Sequence, residues 1–215
     1  MKGCFKWADF YMELATALLP YKNKRSVLID ILKNVFKNAK MNFPFKEKGE
    51  VYEDICPFSV YGSFNKGITD ANRIALLTEI AKEFDLQAKV PTEFEGIPVL
   101  MNLKAWFFAY KDHRGPHDID NLWVLFEKAI QYSDEASSEN KKQFVAAYDV
   151  VIKQKGIKWN ITMGLYWIRP FTFINLDSTN RVFITDVDNM PHYFTTIFSD
   201  INKGLPDGSN YLFMC

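Results

Sequence analysis

The sequence is poor in the features that usually announce a function. Three cysteines, Cys4, Cys56 and Cys215, are scattered along 215 residues. An odd, widely spaced set excludes a disulfide framework and points to reduced thiols in a cytoplasmic protein. No uninterrupted apolar run approaches the length that spans a bilayer, so a membrane is not an expected partner. The opening residues, MKGCFKWADF, lack the apolar stretch and small-residue cleavage site of a secretory signal. Internal repeats and low-complexity linkers are absent. Charge of one sign is lacking too: Lys+Arg and Asp+Glu both number 26, which removes any global steering toward DNA or an anionic surface.

Large apolar side chains are abundant. Hydrophobic residues make up 48% of the chain and aromatics 16%, with 19 Phe, 10 Tyr and 5 Trp, which excludes disorder and predicts a core built on rings. The charge is also unevenly spread. From Lys2 to Lys48 basic residues outnumber acids, from Glu50 to Glu95 the sign reverses, and between Lys153 and Arg181 the only acid is Asp177. A neutral chain can therefore still present basic faces to a polyanion.

Helical periodicity dominates. Phe10, Leu14, Ala17 and Leu18 share one face of a helix over 7–19, and Asn23 is placed to cap a second with Val27, Leu28, Ile31, Leu32 and Val35 inside. Residues 43–57 show too little periodicity to assign. Thr69 or Asp70 caps a helix carrying Ile74, Leu77, Ala81 and Phe84, and Asn102 caps a short one through Trp106. Further helices start at Asp118 or Asp120 and at Ser137, then over Asn160–Ile168 and around Pro191–Asn202. Phe171–Asn175 and Val182–Thr185 read as strands of a small hairpin. The expected fold is mainly α: a compact multi-helix domain over 1–204, in one body or two lobes meeting near 90–118, with a short β-hairpin near 171–185. Residues 205–215, with the composition of a loop, read as the start of a linker.

Gly62-Ser63-Phe64-Asn65-Lys66-Gly67-Ile68-Thr69 has the glycine spacing of a P-loop, but Ile68 stands where the phosphate-binding Lys belongs. The plain reading is a glycine turn into the helix that follows. His113 and His117 are four apart, yet Gly115 and Pro116 break the helix that would align them as metal ligands. The pairs Asp118/Asp120 and Asp186/Asp188 suit helix caps better than magnesium ligands. The most distinctive stretch is Lys158–Arg181, where Asn160, Thr162, Arg169, Asp177, Asn180 and Arg181 sit among rings. Polar groups in apolar surroundings need partners, and Asp177 with Arg169 or Arg181 is a natural pair.

Several landmarks together resemble the region preceding the motor of McrB-like AAA+ proteins, the nucleotide-hydrolysing subunits of modification-dependent (5-methylcytosine) restriction systems. They are Phe5-Lys6-Trp7 with Phe10-Tyr11, Leu18–Lys22, Asp54–Thr69, Phe94–Leu100 before Trp106-Phe107-Phe108, and Leu165–Arg181. The resemblance implies a DNA-recognition module, non-catalytic by itself, preceding a linker to a motor that uses GTP or ATP with magnesium. It also implies an McrC-like nuclease partner and a target that includes modified bases. Lys158, Trp159, Asn160, Arg169, Asn180, Arg181, Lys33 and Lys37 are the candidate nucleic-acid contacts, with Trp159, Tyr166 or Trp167 stacking on an exposed base. Asn160–Arg181 is also similar to the helix and Asp segment of helix-hairpin-helix DNA glycosylases, which makes Asp177 the one catalytic candidate. A protein-interaction or sensor module without DNA contact is the rival reading.

Overall fold

The computed structural model describes residues 5–47, 49–101, 106–199 and 203–215. Cys4, the Asn102 cap and the end of the helix expected through Asn202 lie outside them. The fold is mainly α. Its helices are α1(Ala8–Leu18), α2(Arg25–Asn38), α3(Pro57–Phe64), α4(Asp70–Glu83), α5(Asp118–Asp134), α6(Ser138–Val151), α7(Asn160–Ile168), α8(Ser178–Thr185), α9(His192–Ile197) and α10(Gly208–Met214). Two-residue strands β1(Lys46–Glu47) and β2(Glu50–Val51) pair antiparallel, within the stretch whose sequence had no assignable period.

One continuous cluster of buried side chains runs from Trp7 to Met214, with α8 touching it through the partly buried Ile184. α7 lies at its centre, against α1, α3 and α5, while α5 and α6 pack along each other. α7 can approach this closely because of Gly164: a Cβ there would stand 2.7 Å from the Phe58 ring and 3.2 Å from Phe107. On α2 the inward stripe is Leu28, Ile29, Leu32, Val35 and Phe36 with Ile31 packed at its edge, whereas Val27 is exposed.

Three buried indoles order the segments that have no regular structure. Trp7 donates to the Glu95 carbonyl, Trp167 to Pro98 and Trp123 to Ile55, at 2.9–3.0 Å. Glu13 accepts the Gln87 and Ala88 N–H groups from the same connection. Each bond satisfies a backbone group that burial would otherwise leave without a partner.

Three expectations are corrected. No hairpin occupies 171–185: Asp177 Oδ1 accepts the Asn180 N–H at 2.9 Å, so Ser178-Thr179-Asn180 is the first turn of α8 rather than a hairpin loop. Residues 171–176 are held irregularly instead, with the Arg169 carbonyl accepting from Thr172 and Phe173. The presumed linker contains α10, capped by Asp207 and packed on α6, with Tyr211 stacked on Tyr148 at 5.1 Å. Asp118 and Asp120 do not cap α5: Asp118 reaches back to the Gly115 N–H, and Asp120 pairs with Arg25. The caps expected at Thr69 and Ser137 are present.

Gly164→Ala should destabilise the protein by about 1–3 kcal/mol, because a ring in a close-packed core must move to admit the methyl group. Chemical denaturation measures this, and an unchanged midpoint would contradict the packing described.

Candidate functional site

A cavity of about 620 Å³ is lined mainly by apolar residues, with aromatic rings prominent among them. Tyr52, Leu100, Phe108 and Met163 are its buried lining; Trp106 and Trp159 are half-buried walls; Tyr110, His113, Lys155 and Lys158 are exposed around it. Tyr52 stands edge-on to Trp106, with centroids 5.4 Å apart, and also contacts Phe108 at 5.5 Å. Phe45 supports Trp106 from the β1 side, again at 5.4 Å.

Two of the polar side chains of the cavity, Asn160 and Asp177, come from the start of α7 and the cap of α8. Asn160 donates through Nδ2 to the Trp106 carbonyl at 3.1 Å and accepts the Lys158 N–H at 2.9 Å. It thus fastens the two tryptophan-bearing segments across the cavity. Asp177 accepts from Asn180 and, through Oδ2, from Asn175 Nδ2 at 2.7 Å. Gly156 completes the wall with φ +94°, and a Cβ there would lie 3.1 Å from the Ala109 nitrogen. Only glycine takes that conformation in that space without strain.

The candidate contacts separate into three groups. Lys158, Trp159, Asn160 and Asp177 line the cavity. Asn180 and Arg181 lie beside it: Asn180 Nδ2 donates to the Asn175 carbonyl, and the Arg181 guanidinium covers the Trp159 ring 4.1 Å from its centroid. Lys33, Lys37 and Arg169 do not line it. Lys33 pairs with Asp30 on the exposed side of α2, where Lys37 is also exposed. Arg169 is 3% exposed and pairs with Asp134, not Asp177, while also donating to the Met12 and Ile168 carbonyls. Of the aromatics expected to stack, only Trp159 reaches the cavity; Trp167 is buried in the core, and Tyr166 packs on Phe5 and Trp7.

Sequence reasoning missed Tyr52, Phe108, Tyr110, His113 and Lys155. The run Trp106-Phe107-Phe108 was a visible signal, but it read as the end of a short helix capped by Asn102 and not as a cavity wall. In fact Phe107 points into the core against Phe58 while its neighbours line the cavity.

The Gly62–Thr69 stretch is no phosphate loop. Gly62, Ser63 and Phe64 are the buried end of α3, and Thr69 caps α4. Burial pushes the Cys56 thiol up to about 12, so it is not an activated nucleophile, and it raises Tyr52 to about 12 as well. Among the described residues no group of three or more His, Cys, Asp or Glu is arranged to hold a metal ion, and no helix is long and apolar enough to cross a membrane.

A family model described as a domain of unknown function, DUF8425, matches residues 7–214, from the buried Trp7 to the last residues of α10. The chain belongs to the DUF8425 family. The cavity, α8 and α10 therefore all fall within the DUF8425 unit. No curated protein and no solved structure matches the chain.

For the DUF8425 cavity, Asp177 has a separable structural effect. Asp177→Ala should cost about 1 kcal/mol by removing the α8 cap, while Asp177→Asn, which also caps, should cost a few tenths at most. Thermal unfolding of the two variants compares them, and equal losses would remove the capping role.

Proposed function

We propose that this DUF8425 domain is a DNA-recognition module whose aromatic cavity receives an exposed base. The observation that carries this reading is the joining of Trp106, Trp159, Tyr52 and Phe108 in one cavity with Asn160, Asp177, His113 and two lysines. Ring walls offer stacking faces, which bases of any sequence accept, while amide and carboxylate atoms offer hydrogen bonds to a base edge. Lys155 and Lys158 are exposed and suited to flanking phosphates. The cavity volume falls within the range usual for small-molecule sites.

The basic residues of α2 are a weaker choice. Lys22 pairs with Glu127, Arg25 with Asp54 and Asp120, and Lys33 with Asp30. Phosphate contact is assigned instead to Lys155 and Lys158, so Lys33, Lys37 and Arg169 are dropped from the proposed interface. Asp177 is proposed to position and read: each of its oxygens accepts one hydrogen bond within the chain and keeps a lone pair for a base edge. In the McrB-like reading, hydrolysis of GTP or ATP and cutting by an McrC-like nuclease belong to other modules. One observation favours the sensor reading as an addition to this: Val182, Phe183, Val187 and Tyr193, on and just after α8, are exposed apolar residues, and the α8 cap Asp177 is itself a cavity residue.

Fluorescence anisotropy with labelled single-stranded and duplex DNA, plain and cytosine-methylated, at two salt concentrations tests the proposal. Trp159→Ala should weaken binding roughly tenfold or more, the value of one base stack. Replacing both Lys155 and Lys158 with Gln should lower the salt slope by roughly 1.4 on single strands and roughly 1.8 on duplex. A folded protein that binds none of these DNAs at low salt would overturn the reading.

A further inference from the structure

The Trp159 ring is shared between the cavity and α8. It lines the cavity, and the Arg181 guanidinium lies 4.1 Å from its centroid. Arg181 is fixed there by Nη1, which donates to the Leu176 carbonyl at 2.6 Å. The Leu176 N–H donates to Thr162 Oγ1, which in turn donates to the Trp159 carbonyl. Trp159, Thr162, Leu176 and Arg181 therefore form a closed ring of contacts at the root of α8.

Beyond that ring, α8 meets the body through Ile184, which packs on the core, and through Asn180, which donates to the Asn175 carbonyl. Among the described residues no α8 side chain is fully buried, the helix packs chiefly against α9, and Val182 and Phe183 are more than half exposed. α9 is anchored separately, through Phe198 against Phe213 of α10. The first turn of α8 is capped by Asp177, itself a cavity residue.

We infer that α8 reports occupancy of the cavity, with Arg181 on Trp159 as the coupling contact. This rests on the nucleic-acid reading of the cavity. A base stacked against Trp159 restricts the indole, and a restricted indole is a better platform for the guanidinium, so ligand binding and α8 docking reinforce each other. Such coupling is reciprocal: whatever holds α8 in place also tightens binding. The exposed apolar side of α8 is the part of the molecule whose order would change. Arg181 is a positioning residue here, acting through Trp159.

The test combines amide hydrogen exchange with ¹⁹F NMR of fluorotryptophan-labelled protein, using a short single-stranded DNA as the probe. The Trp159 resonance is assigned by its loss in Trp159→Phe. In the unaltered chain, DNA should shift that resonance and slow exchange across 178–185. In Arg181→Gln the resonance should still shift, α8 exchange should no longer respond, and affinity should fall roughly two- to tenfold, the range of a cation–π contact. DNA binding that leaves α8 exchange unchanged in the unaltered chain overturns the coupling alone. So does an Arg181→Gln variant that exchanges faster in α8 but binds with unaltered affinity, since Arg181 would then be merely structural. Absence of DNA binding removes the nucleic-acid reading and the coupling with it.

Discussion

Arg169 brings a full charge into the interior and divides it among three helices. Its guanidinium meets both oxygens of Asp134 at the end of α5, the Met12 carbonyl and Thr16 hydroxyl of α1, and the Ile168 carbonyl of α7. A buried cation is tolerated only where its donors are satisfied, and here the fork is nearly saturated. The same residue ends α7, and its own carbonyl accepts from Thr172 and Phe173. It thereby sets the direction in which the chain leaves the core toward Asn175, Asp177 and α8. Further along, Thr162 takes over: it accepts the Leu176 N–H and donates to the Trp159 carbonyl, which ties the residue before Asp177 to the Trp159 segment. The direction set by Arg169 gives a physical reason for a charged residue at a site where apolar packing alone would suffice. An ion pair that fixes register and direction is consistent with the specificity role proposed for buried polar groups.

Around that anchor, the cavity is assembled largely from segments without regular structure. Residues near 52, 100, 108 and 156 meet there, and none of them lies in a helix. Irregular backbone is stable in such a place only when its polar groups are paired. The indoles of Trp7, Trp123 and Trp167 supply part of that pairing from helical or near-helical positions, and Asn160 supplies the bond that joins the Trp106 and Lys158 segments. The aromatic excess in the composition thus has two roles. Some rings fill the core, while others leave a lined space because their neighbours are held apart by backbone hydrogen bonds.

Much of the helical framework was legible in the sequence, because α1, α4, α6 and α7 carry apolar residues at helical spacing and flanking caps or prolines. α3 was hidden: all eight of its residues are buried, so no amphipathic contrast marks it, and its glycine resembled a turn. α8 was misread for the opposite reason. With no buried side chain, Val182, Phe183 and Ile184 looked like a β-branched run, and only the Asp177 cap distinguishes helix from strand. α10 was missed because Gly204-Leu205-Pro206-Asp207-Gly208-Ser209 is loop-like in composition, while its packing depends on Asp149 and Tyr148 far away in sequence. Lys158, Trp159, Asn160 and Asp177 fell in the cavity because the Lys158–Arg181 stretch was singled out for its polar groups among rings. Its other walls come from positions 52 and 100–113, and no local pattern links those to α7.

What the cavity is suited to do follows from the state of its polar groups. General acid–base or nucleophilic chemistry needs a group poised to lose or gain a proton, with a free path to the reacting atom. Tyr52 is held neutral by burial, with its pKa raised to about 12, and Asp177 already accepts on both oxygens. Asn160, engaged at both ends, retains one further donor hydrogen and one acceptor lone pair for a ligand. Groups fixed in this way cost little further entropy when a ligand arrives. The proposed module accordingly owes its selectivity to preorganisation: Arg169 sets where the wall turns, Asn160 sets the spacing of the tryptophans, and Arg181 sets how firmly one of those tryptophans is held.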